Sequence, residues 1–310
     1  MIAARRKAAP FQNLNADLCV FAQPAKRISL SNPSQTREWN ATDYHRISGP
    51  QVSWGKKVLA RVQLRGDELL MDAGCGTGRL TAELLQNLPR GRVVGVDLSQ
   101  NMLAGARDYL APDFSGKFWL VAADLQDPPF EKVFDGIFST AAFHWVLDHD
   151  RLFRSLFRAL RPGGWLRAQC GGGPNLARLR KRTNELAATA KHARYFAGFR
   201  EPWTYNDAET AAAVLRRAGF VEVDTSLEPA PTVLEDLPKY SEFVRTAILR
   251  QHLDRIPDAL RTEFVATLAG QAANDDPPFS LDYWRLNLSA KDSRVDRPIR
   301  FCDQAGSLGG

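Results

Sequence analysis

Three aspartates stand at the ends of apolar runs, spaced by about the length of one strand–helix unit. Asp72, Asp97 and Asp124 lie 25 and 27 residues apart. Because the carboxyl ends of parallel strands share one edge of a sheet, the three carboxylates are predicted to line that edge. A carboxylate accepts two vicinal hydroxyls at once, so Asp97 is the expected partner of a ribose. The spacing therefore indicates a site for a nucleoside.

A glycine-rich stretch follows the first of these aspartates. An apolar run ends in Asp72 and Ala73, and glycines then alternate at Gly74, Gly76 and Gly78. Glycine accepts positive φ and lets another molecule approach the backbone closely. The stretch is therefore predicted to form a ligand-binding loop at a strand end.

The residues after the loop disfavour two common nucleotide sites. A dinucleotide-binding fingerprint needs a glycine at position 79, where this chain has Arg79. A P-loop ends in Gly-Lys-Ser or Gly-Lys-Thr, whereas Gly78 is followed by Arg79 and Leu80. The alternating glycines instead suit a ligand that lacks a pyrophosphate and presents a zwitterionic amino-acid part to the loop.

A sheet of alternating strands and helices must position these residues. Apolar strand patterns alternate with helical patterns, which indicates an α/β fold with a doubly wound, mostly parallel sheet. The strands are predicted at 68–73, 92–97, 118–122, 134–139, 165–170, 221–227 and 280–288. The helices between them are predicted at 79–88, 100–110 and 150–160, and Ser99 is predicted to cap the second of these.

Further helical patterns surround the sheet. They occur before the first strand and at 176–199, 234–253 and 257–271. Asn206 is predicted to cap another helix, with Glu209 completing a capping box and Gly219 ending the helix. The predicted organisation is a disordered tail at 1–37, one domain at 38–290 with cap elements near 38–62, 174–205 and 234–275, and a disordered tail at 291–310.

The composition indicates a globular protein without a membrane segment. The 310 residues are 44% hydrophobic, and no apolar run reaches the roughly 20 residues that cross a bilayer. The four cysteines are scattered, which argues against a zinc site and fits a reducing compartment. We therefore expect a cytoplasmic protein without a metal, and the sequence leaves monomer and dimer open.

Positive charge is concentrated in one part of the chain. The net charge is +6, and the segment from Arg151 to Arg217 holds 14 Lys and Arg against four Asp and Glu. Such a segment is either a solvated arginine-rich face or a surface that attracts an anionic partner. The partner would be a carboxylate substrate or a nucleic acid, and the charge alone does not choose between them.

Five ordered motifs resemble those of the Rossmann-like S-adenosylmethionine-dependent methyltransferases. The motifs are Asp72–Gly78, Val94–Ser99, Ala122–Leu125, Phe134–Ser139 and Leu160–Gly164. The resemblance covers about residues 38–289 and implies a seven-stranded sheet whose last strand is antiparallel. It also implies S-adenosylmethionine as the cofactor.

The resemblance also implies a role for each candidate cofactor residue. The loop of Asp72, Ala73, Gly74, Gly76 and Gly78 would hold the methionine end of the cofactor, and Asp97 would bind the ribose. Leu98 and Met102 would lie near the adenine, and Asp124 would meet the adenine amino group beside Leu125.

Further features are similar to the trans-aconitate methyltransferase group. They are Trp39–Ala41 before the first strand, Phe143–Val146 after the fourth, and the helices inserted between the last two strands. Malonyl-acyl-carrier-protein methyltransferases share part of this pattern. Both groups esterify carboxylates, so the resemblance implies O-methylation of a small, anionic carboxylic acid. Such a substrate is already ionised at neutral pH and needs a cationic partner, for which Arg178, Arg180, Arg194 and Arg200 are candidates.

His144 is the polar residue that this pattern places near the transferred methyl group. It would serve as a general base for a hydroxyl or nitrogen substrate, or it would orient a carboxylate. Alternatively, it is a hydrogen-bonded histidine that only shapes the pocket wall.

Two other functions stay open. The basic segment is compatible with an RNA methyltransferase, although no RNA-binding module is recognisable and Ser139–Ala142 does not resemble an Asn-Pro-Pro-Tyr tetrapeptide. The other possibility is a protein that binds the cofactor and transfers nothing.

Overall fold

A seven-stranded sheet forms the centre of the computed structural model, which describes residues 38–294. Its strands are β1 (Leu69–Ala73), β2 (Arg92–Asp97), β3 (Phe118–Ala122), β4 (Phe134–Thr140), β5 (Leu160–Gly171), β6 (Phe220–Pro229) and β9 (Trp284–Asp292). They stand in the order β3-β2-β1-β4-β5-β9-β6, and β9 is antiparallel to both of its neighbours. The predicted doubly wound sheet with an antiparallel last strand is confirmed. The short strands β7 (Thr232–Val233) and β8 (Ser280–Leu281) pair with each other in a separate sheet.

Helices flank the sheet. They are α1 (Ala41–Ile47), α2 (Gly49–Leu59), α3 (Arg79–Gln86), α4 (Gln100–Phe114), α5 (His149–Ala159), α6 (Ala177–Ala187), α7 (Ala193–Phe196), α8 (Ala208–Ala218), α9 (Leu237–Phe243), α10 (Arg250–Leu253) and α11 (Asp258–Ala272). A π-helical segment, Val244–Ile248, lies between α9 and α10. No helix within residues 38–294 is long and apolar enough to cross a membrane.

The sequence pattern accounts for the strands and helices around the cofactor edge. Every residue of β1 is buried, as expected for a central parallel strand covered on both faces. The Ser99 hydroxyl accepts a hydrogen bond from the Met102 N–H, so the predicted cap of α4 is confirmed. The buried face of α5 is formed by apolar residues at helical spacing, namely Leu152, Phe153, Leu156 and Ala159.

The helices α6, α7, α9, α10 and α11 form what we call the cap. They share an apolar core that includes Leu179, Trp203, Phe243, Phe264 and Leu268. Trp54, Trp145 and Tyr205 pack against this core from the sheet side of the molecule. The cap therefore rests on the same end of the sheet at which the strand-terminal aspartates stand.

Several predicted boundaries are wrong because local patterns did not show tertiary contacts. Asn206 does not cap α8; Asp207 does so by accepting from the Thr210 N–H, and the Asn206 side chain pairs with the His149 Nδ1 at 2.9 Å. Gly219 ends α8 with φ of 108°, as predicted.

The predicted long cap helices are also interrupted. The stretch 176–199 divides into α6 and α7, and the stretch 234–253 is divided by the π-helical segment. The predicted strand 280–288 is two strands, because Ser280–Leu281 pairs with β7 while β9 starts at Trp284. Strand β9 runs two residues past the predicted domain end at 290. The rest of the predicted tails, 1–37 and 295–310, lies outside the described residues.

Candidate functional site

The glycine loop lies between β1 and α3 and is anchored to the neighbouring strand. The backbone N–H groups of Gly74 and Cys75 both donate to the Val96 carbonyl of β2. Gly76 and Gly78 have φ values of 53° and 78°. A side chain at Gly76 would meet no atom within 4 Å, so its backbone faces open space at the strand end. The loop is therefore a cradle whose glycine backbone another molecule can approach closely.

Asp97 connects this loop to α4. One carboxylate oxygen accepts from the Gly76 N–H at 2.9 Å, and the other accepts from the Ser99 N–H at 2.9 Å. Each oxygen keeps lone pairs for a further donor. Burial raises the pKa of Asp97 above its usual value, while hydrogen bonds from the backbone N–H groups of Ser99, Gly76 and Leu98 lower it. The geometry fits a carboxylate that accepts two vicinal hydroxyls.

Asp72 and Ala73, at the end of β1, are both buried. Asp72 is 2% exposed, and its carboxylate accepts from the Thr81 hydroxyl at 2.6 Å. Burial, with a smaller contribution from the charge of Asp97, raises the pKa of Asp72 to about 7. The Ala73 carbonyl accepts from the Ser139 hydroxyl. Both residues fix the strand end and the first turn of α3, and Asp72 adds a buried acid behind the loop.

The residues predicted to surround an adenine stand at the ends of β2 and β3. Leu98 is 37% exposed, while Met102 and Leu125 are buried. The Asp124 carboxylate accepts from the backbone N–H of Gln126 and from its side-chain amide. Because Asp97 and Ala122 are paired across β2 and β3, Asp124 is close to the Asp97 side of the edge. These residues therefore lie together at the ends of β2 and β3, next to the exposed side chain of Leu98.

The segment 38–48, here called the strap, covers this edge. The Glu38 carboxylate accepts from the Ser99 hydroxyl and from two backbone N–H groups at the start of α4. His45 Nδ1 contacts the Thr77 hydroxyl at 2.9 Å, and the Arg79 guanidinium donates to the His45 carbonyl. The strap is therefore bound to both the glycine loop and the helix that follows Asp97.

Arg285 is the functional candidate that sequence reasoning missed. It lies on β9, paired with Gly171 of β5 and Glu228 of β6, and it is 2% exposed. Its Nε has no hydrogen-bond partner, and no carboxylate within residues 38–294 forms an ion pair with it. Burial lowers the pKa of its guanidinium. A buried charge is costly in free energy unless it is paired. A bound anion would therefore stabilise the charged guanidinium of Arg285.

Three tyrosines surround this guanidinium. The charge of Arg285 acts on the hydroxyls of Tyr44, Tyr205 and Tyr283 and lowers the pKa of each. Burial outweighs it, raising the pKa of Tyr44 to about 12 and those of the other two as well. The charge of Asp97 also acts on Tyr44. Tyr44 is therefore a neutral hydrogen-bond donor whose pKa is affected by both Asp97 and Arg285.

His144 lies in a turn of 3₁₀ helix that follows β4. It is 8% exposed, and its Nδ1 accepts from the Gly171 N–H at 3.3 Å. Its ring lies 5.8 Å from the ring of Tyr205 and 5.1 Å from that of Trp145. With Nδ1 accepting, the ring proton of a neutral imidazole is on Nε2, which makes that atom a donor. This geometry favours orientation of an acceptor over general-base catalysis.

The four predicted clamp arginines have different surroundings. Arg178 is held by Ser280 and Asp275, and the Arg194 guanidinium stacks on Tyr195. Arg200 is exposed. The Arg180 guanidinium lies 5.3 Å from the Tyr205 ring centre, and its Nε is buried without a hydrogen-bond partner among residues 38–294. Arg180 is thus the one of the four that shares an aromatic neighbour with Arg285.

Arg285 has only a weak signal in the sequence. It occupies a polar position, between Trp284 and Leu286, in a strand that alternates polar and apolar residues. A charged residue in the middle of a sheet needs an anionic partner or a function. The signal depends on knowing that β9 is inserted between β5 and β6, which only the fold shows.

Comparison with known proteins agrees with this geometry. Residues 71–168 match a family model described as a methyltransferase domain. The chain is 31% identical over 245 residues to a trans-aconitate 2-methyltransferase of Azoarcus sp. (strain BH72), covering 78% of this chain and 90% of that protein. It is 29% identical over 246 residues to the protein of that name from Deinococcus radiodurans, covering 77% and 92%. With the corresponding protein of Escherichia coli O1:K1 / APEC it shares 38% identity over 132 residues, which cover 43% of this chain and 50% of that protein.

Solved structures share the fold at low sequence identity. Phosphoethanolamine N-methyltransferase 2 of Haemonchus contortus, in complex with S-adenosylhomocysteine, superposes with a TM-score of 0.54 at 19% identity, covering 81% of this chain and 57% of that one. The [4+2]-cyclase SpnF superposes with a TM-score of 0.52 at 20% identity, covering 78% and 81%. The fold therefore supports different reactions, and the acceptor must be inferred from the site.

The fold, the glycine loop and these relatives define a small-molecule methyltransferase that uses S-adenosylmethionine. The residues present fit this cofactor, because the cradle at Gly76 is open and Asp97 keeps free lone pairs. The chain belongs to the trans-aconitate 2-methyltransferase family. The cofactor supplies an electrophilic methyl group on a sulfonium.

Proposed function

We propose that this protein transfers a methyl group to a carboxylate oxygen of a small organic acid. The observation that carries the proposal is the buried guanidinium of Arg285, which has no carboxylate partner within residues 38–294. A carboxylate accepts paired hydrogen bonds from a guanidinium and neutralises its charge. The family's named relatives support the choice, since trans-aconitate is a carboxylic acid.

The cofactor roles are part of the same proposal. Asp97 binds the ribose hydroxyls, the loop at Gly74, Gly76 and Gly78 receives the methionine end, and Leu98 and Met102 adjoin the adenine with Asp124 and Leu125. Support comes from the open backbone at Gly76 and from the exposed leucine beside the Asp97 carboxylate. Asp72 and Ala73 support the loop by fixing the end of β1 through their hydrogen bonds with Thr81 and Ser139.

On the acceptor side, the substrate carboxylate lies between Arg285 and the transferred methyl group. Tyr44 and the Nε2 of His144 donate to it and set its orientation. Bound S-adenosylmethionine would supply the methyl group, and these residues would hold one carboxylate oxygen in line with it. No proton moves, because a carboxylate is already ionised at neutral pH. Orientation and exclusion of water supply the rate.

The surroundings of the basic segment favour this function over RNA methylation. Many of its arginines are engaged in ion pairs: Arg158 with Asp127, Arg161 with Asp135, Arg182 with Asp275 and Arg217 with Asp150. Charges paired in this way contribute little to the binding of a phosphate backbone. The segment is better described as an ion-paired surface.

The test is transfer of a radiolabelled methyl group from S-adenosylmethionine to a panel of carboxylic acids, phenols and tRNA. Treatment with alkali separates the outcomes, because a methyl ester releases labelled methanol while ethers and methylated amines do not. We expect alkali-labile label on at least one carboxylic acid. Label that is stable to alkali, or label on tRNA alone, would contradict the proposal.

A further inference from the structure

A cavity lies on the flank of the sheet. It has a volume of about 310 Å³ and is bordered by α2, by the residues just after α2 and by the ends of β5 and β6. We call it the side cavity. It is lined by Trp54, Lys57, Arg61, Gln169, Glu228 and the segment 229–231. None of these residues belongs to the glycine loop or to the row of aspartates, so the cavity is distinct from the cofactor edge.

The lining of the side cavity is suited to a small hydrated anion, whose water molecules can donate to an acceptor in the wall. Lys57 and Arg61 contribute two positive charges against the one carboxylate of Glu228, which approaches Arg61 to 3.9 Å. Gln169 is 3% exposed, and its amide nitrogen donates to Asn287 at 2.7 Å. Its amide oxygen has no partner within residues 38–294, although a buried amide oxygen normally accepts a hydrogen bond.

The side cavity and Arg285 are neighbours in two ways. The Trp54 ring lines the cavity, and the guanidinium carbon of Arg285 lies 4.5 Å from the centre of that ring. Glu228 lines the cavity too and is paired with Arg285 across β6 and β9, a pairing that places their Cβ atoms roughly 5 Å apart. Trp54 is therefore a shared wall between the two spaces.

We propose that the side cavity is the entrance for the acceptor: a carboxylate is first held by Lys57 and Arg61 and then passes Trp54 to reach Arg285. This inference rests on the proposed function, because it takes a carboxylic acid as the substrate. A positively charged vestibule concentrates anions and speeds their association. Trp54 is half-buried. In this proposal its ring would turn aside to let the carboxylate reach the guanidinium.

The test blocks the side cavity without touching the acceptor site. Lys57 is exposed, so Lys57→Cys is labelled after folding, either with a small methylthio group or with a bulky uncharged maleimide. Cys75 and Cys170 are buried, and wild-type protein treated in the same way corrects for any other labelled thiol. Arg107→Cys, at an exposed position of α4 that does not line the cavity, is the matched control.

Binding of trans-aconitate to the protein saturated with S-adenosylhomocysteine is followed by stopped-flow tryptophan fluorescence. We expect the bulky label at position 57 to slow both association and dissociation by about tenfold while leaving the equilibrium Kd within about twofold, because the final site is intact. Both labels at position 107 should leave the rates unchanged. The small label at 57 removes the Lys57 charge without filling the cavity, so it should slow association less than the bulky label does. Unchanged rates with the bulky label at position 57 would overturn the proposal that the side cavity is the entrance.

The two proposals fail in different ways. If unlabelled wild-type protein binds trans-aconitate and methylates a carboxylic acid, but the bulky label has no effect on the rates, the entrance alone is wrong. If wild-type protein neither binds trans-aconitate nor methylates any acid of the panel, the proposed function is wrong, and the entrance falls with it. A raised Kd with unchanged association would place the label's effect at the final site and would also contradict the entrance.

Discussion

The cofactor edge and the acceptor site are built in opposite ways. The cofactor edge consists of short contiguous motifs at the ends of β1, β2 and β3, and its key carboxylate, Asp97, is held by backbone donors from the adjacent turns. The proposed acceptor site gathers Tyr44, His144, Tyr205 and Arg285 from four distant parts of the chain. On this proposal, cofactor binding depends on local structure, whereas acceptor recognition depends on how the strap, the cap and β9 meet.

The largest effect is expected at the cofactor edge. Asp97→Ala removes the partner of both ribose hydroxyls and leaves the N–H groups of Gly76 and Ser99 without their acceptor. Loss of two hydrogen bonds to a charged group predicts a fall of about 1,000-fold in affinity for S-adenosylmethionine. Calorimetric titration measures it, with Asp127→Ala at an exposed ion pair as the control. Unchanged affinity would remove Asp97 from the ribose site.

The buried carboxyl of Asp72, at the same edge of the sheet, should make the stability of the fold depend on pH. Its pKa is raised in the folded protein from 3.8 to about 7, so the folded state holds the proton more tightly. The unfolding free energy should therefore fall as pH rises from 5 to 7.5, by roughly 3 kcal/mol relative to Asp72→Asn, and stay level above that range. Urea titrations of both proteins without cofactor measure the difference. Parallel pH profiles would contradict the buried ionisable carboxyl.

His144 should affect turnover more than cofactor affinity. His144→Ala removes the Nε2 donor, and we expect kcat to fall by about 30-fold while the Kd of S-adenosylmethionine stays within twofold. His144→Asn is the matched variant, because its side-chain oxygen replaces Nδ1 as the acceptor of the Gly171 N–H. If Asn restores turnover, the histidine has only a structural role in the pocket wall.

The smallest effect is expected from substitution of the cap arginines, and it should differ between Arg180 and Arg200. The Arg180 guanidinium borders Tyr205 at the far side of the acceptor site, whereas Arg200 is exposed. Arg180→Met should raise the KM of the acceptor by about tenfold without changing kcat, and Arg200→Met should leave both unchanged. Steady-state kinetics on the acid identified by the methyl-transfer panel measures this difference. Equal effects of the two substitutions would show that the cap acts only through its overall charge.

The contrast between the two regions also explains what could be predicted from sequence. The loop Gly74–Gly78 and the strand that ends in Asp97 could be predicted, because glycines, strand ends and caps leave local patterns. The insertion of β9 between β5 and β6 could not be predicted from such patterns. Asn206 and Asp207 are adjacent residues with the same capping chemistry, so only the contact with His149 decides between them. The proposed role of Arg285 could not be predicted, because it depends on the neighbours Trp54, Tyr44 and Tyr205, which are far away in sequence.

The substitution Arg285→Met tests the central claim most directly, because it removes the charge while keeping an apolar side chain in β9. Turnover of the carboxylic acid substrate and the Kd of S-adenosylmethionine are measured on the same preparation, with Arg200→Met as the control. We predict that kcat/KM for the acid falls by at least about 100-fold while the cofactor Kd stays within twofold. A folded variant that binds the cofactor normally and methylates the acid at the wild-type rate would contradict the account.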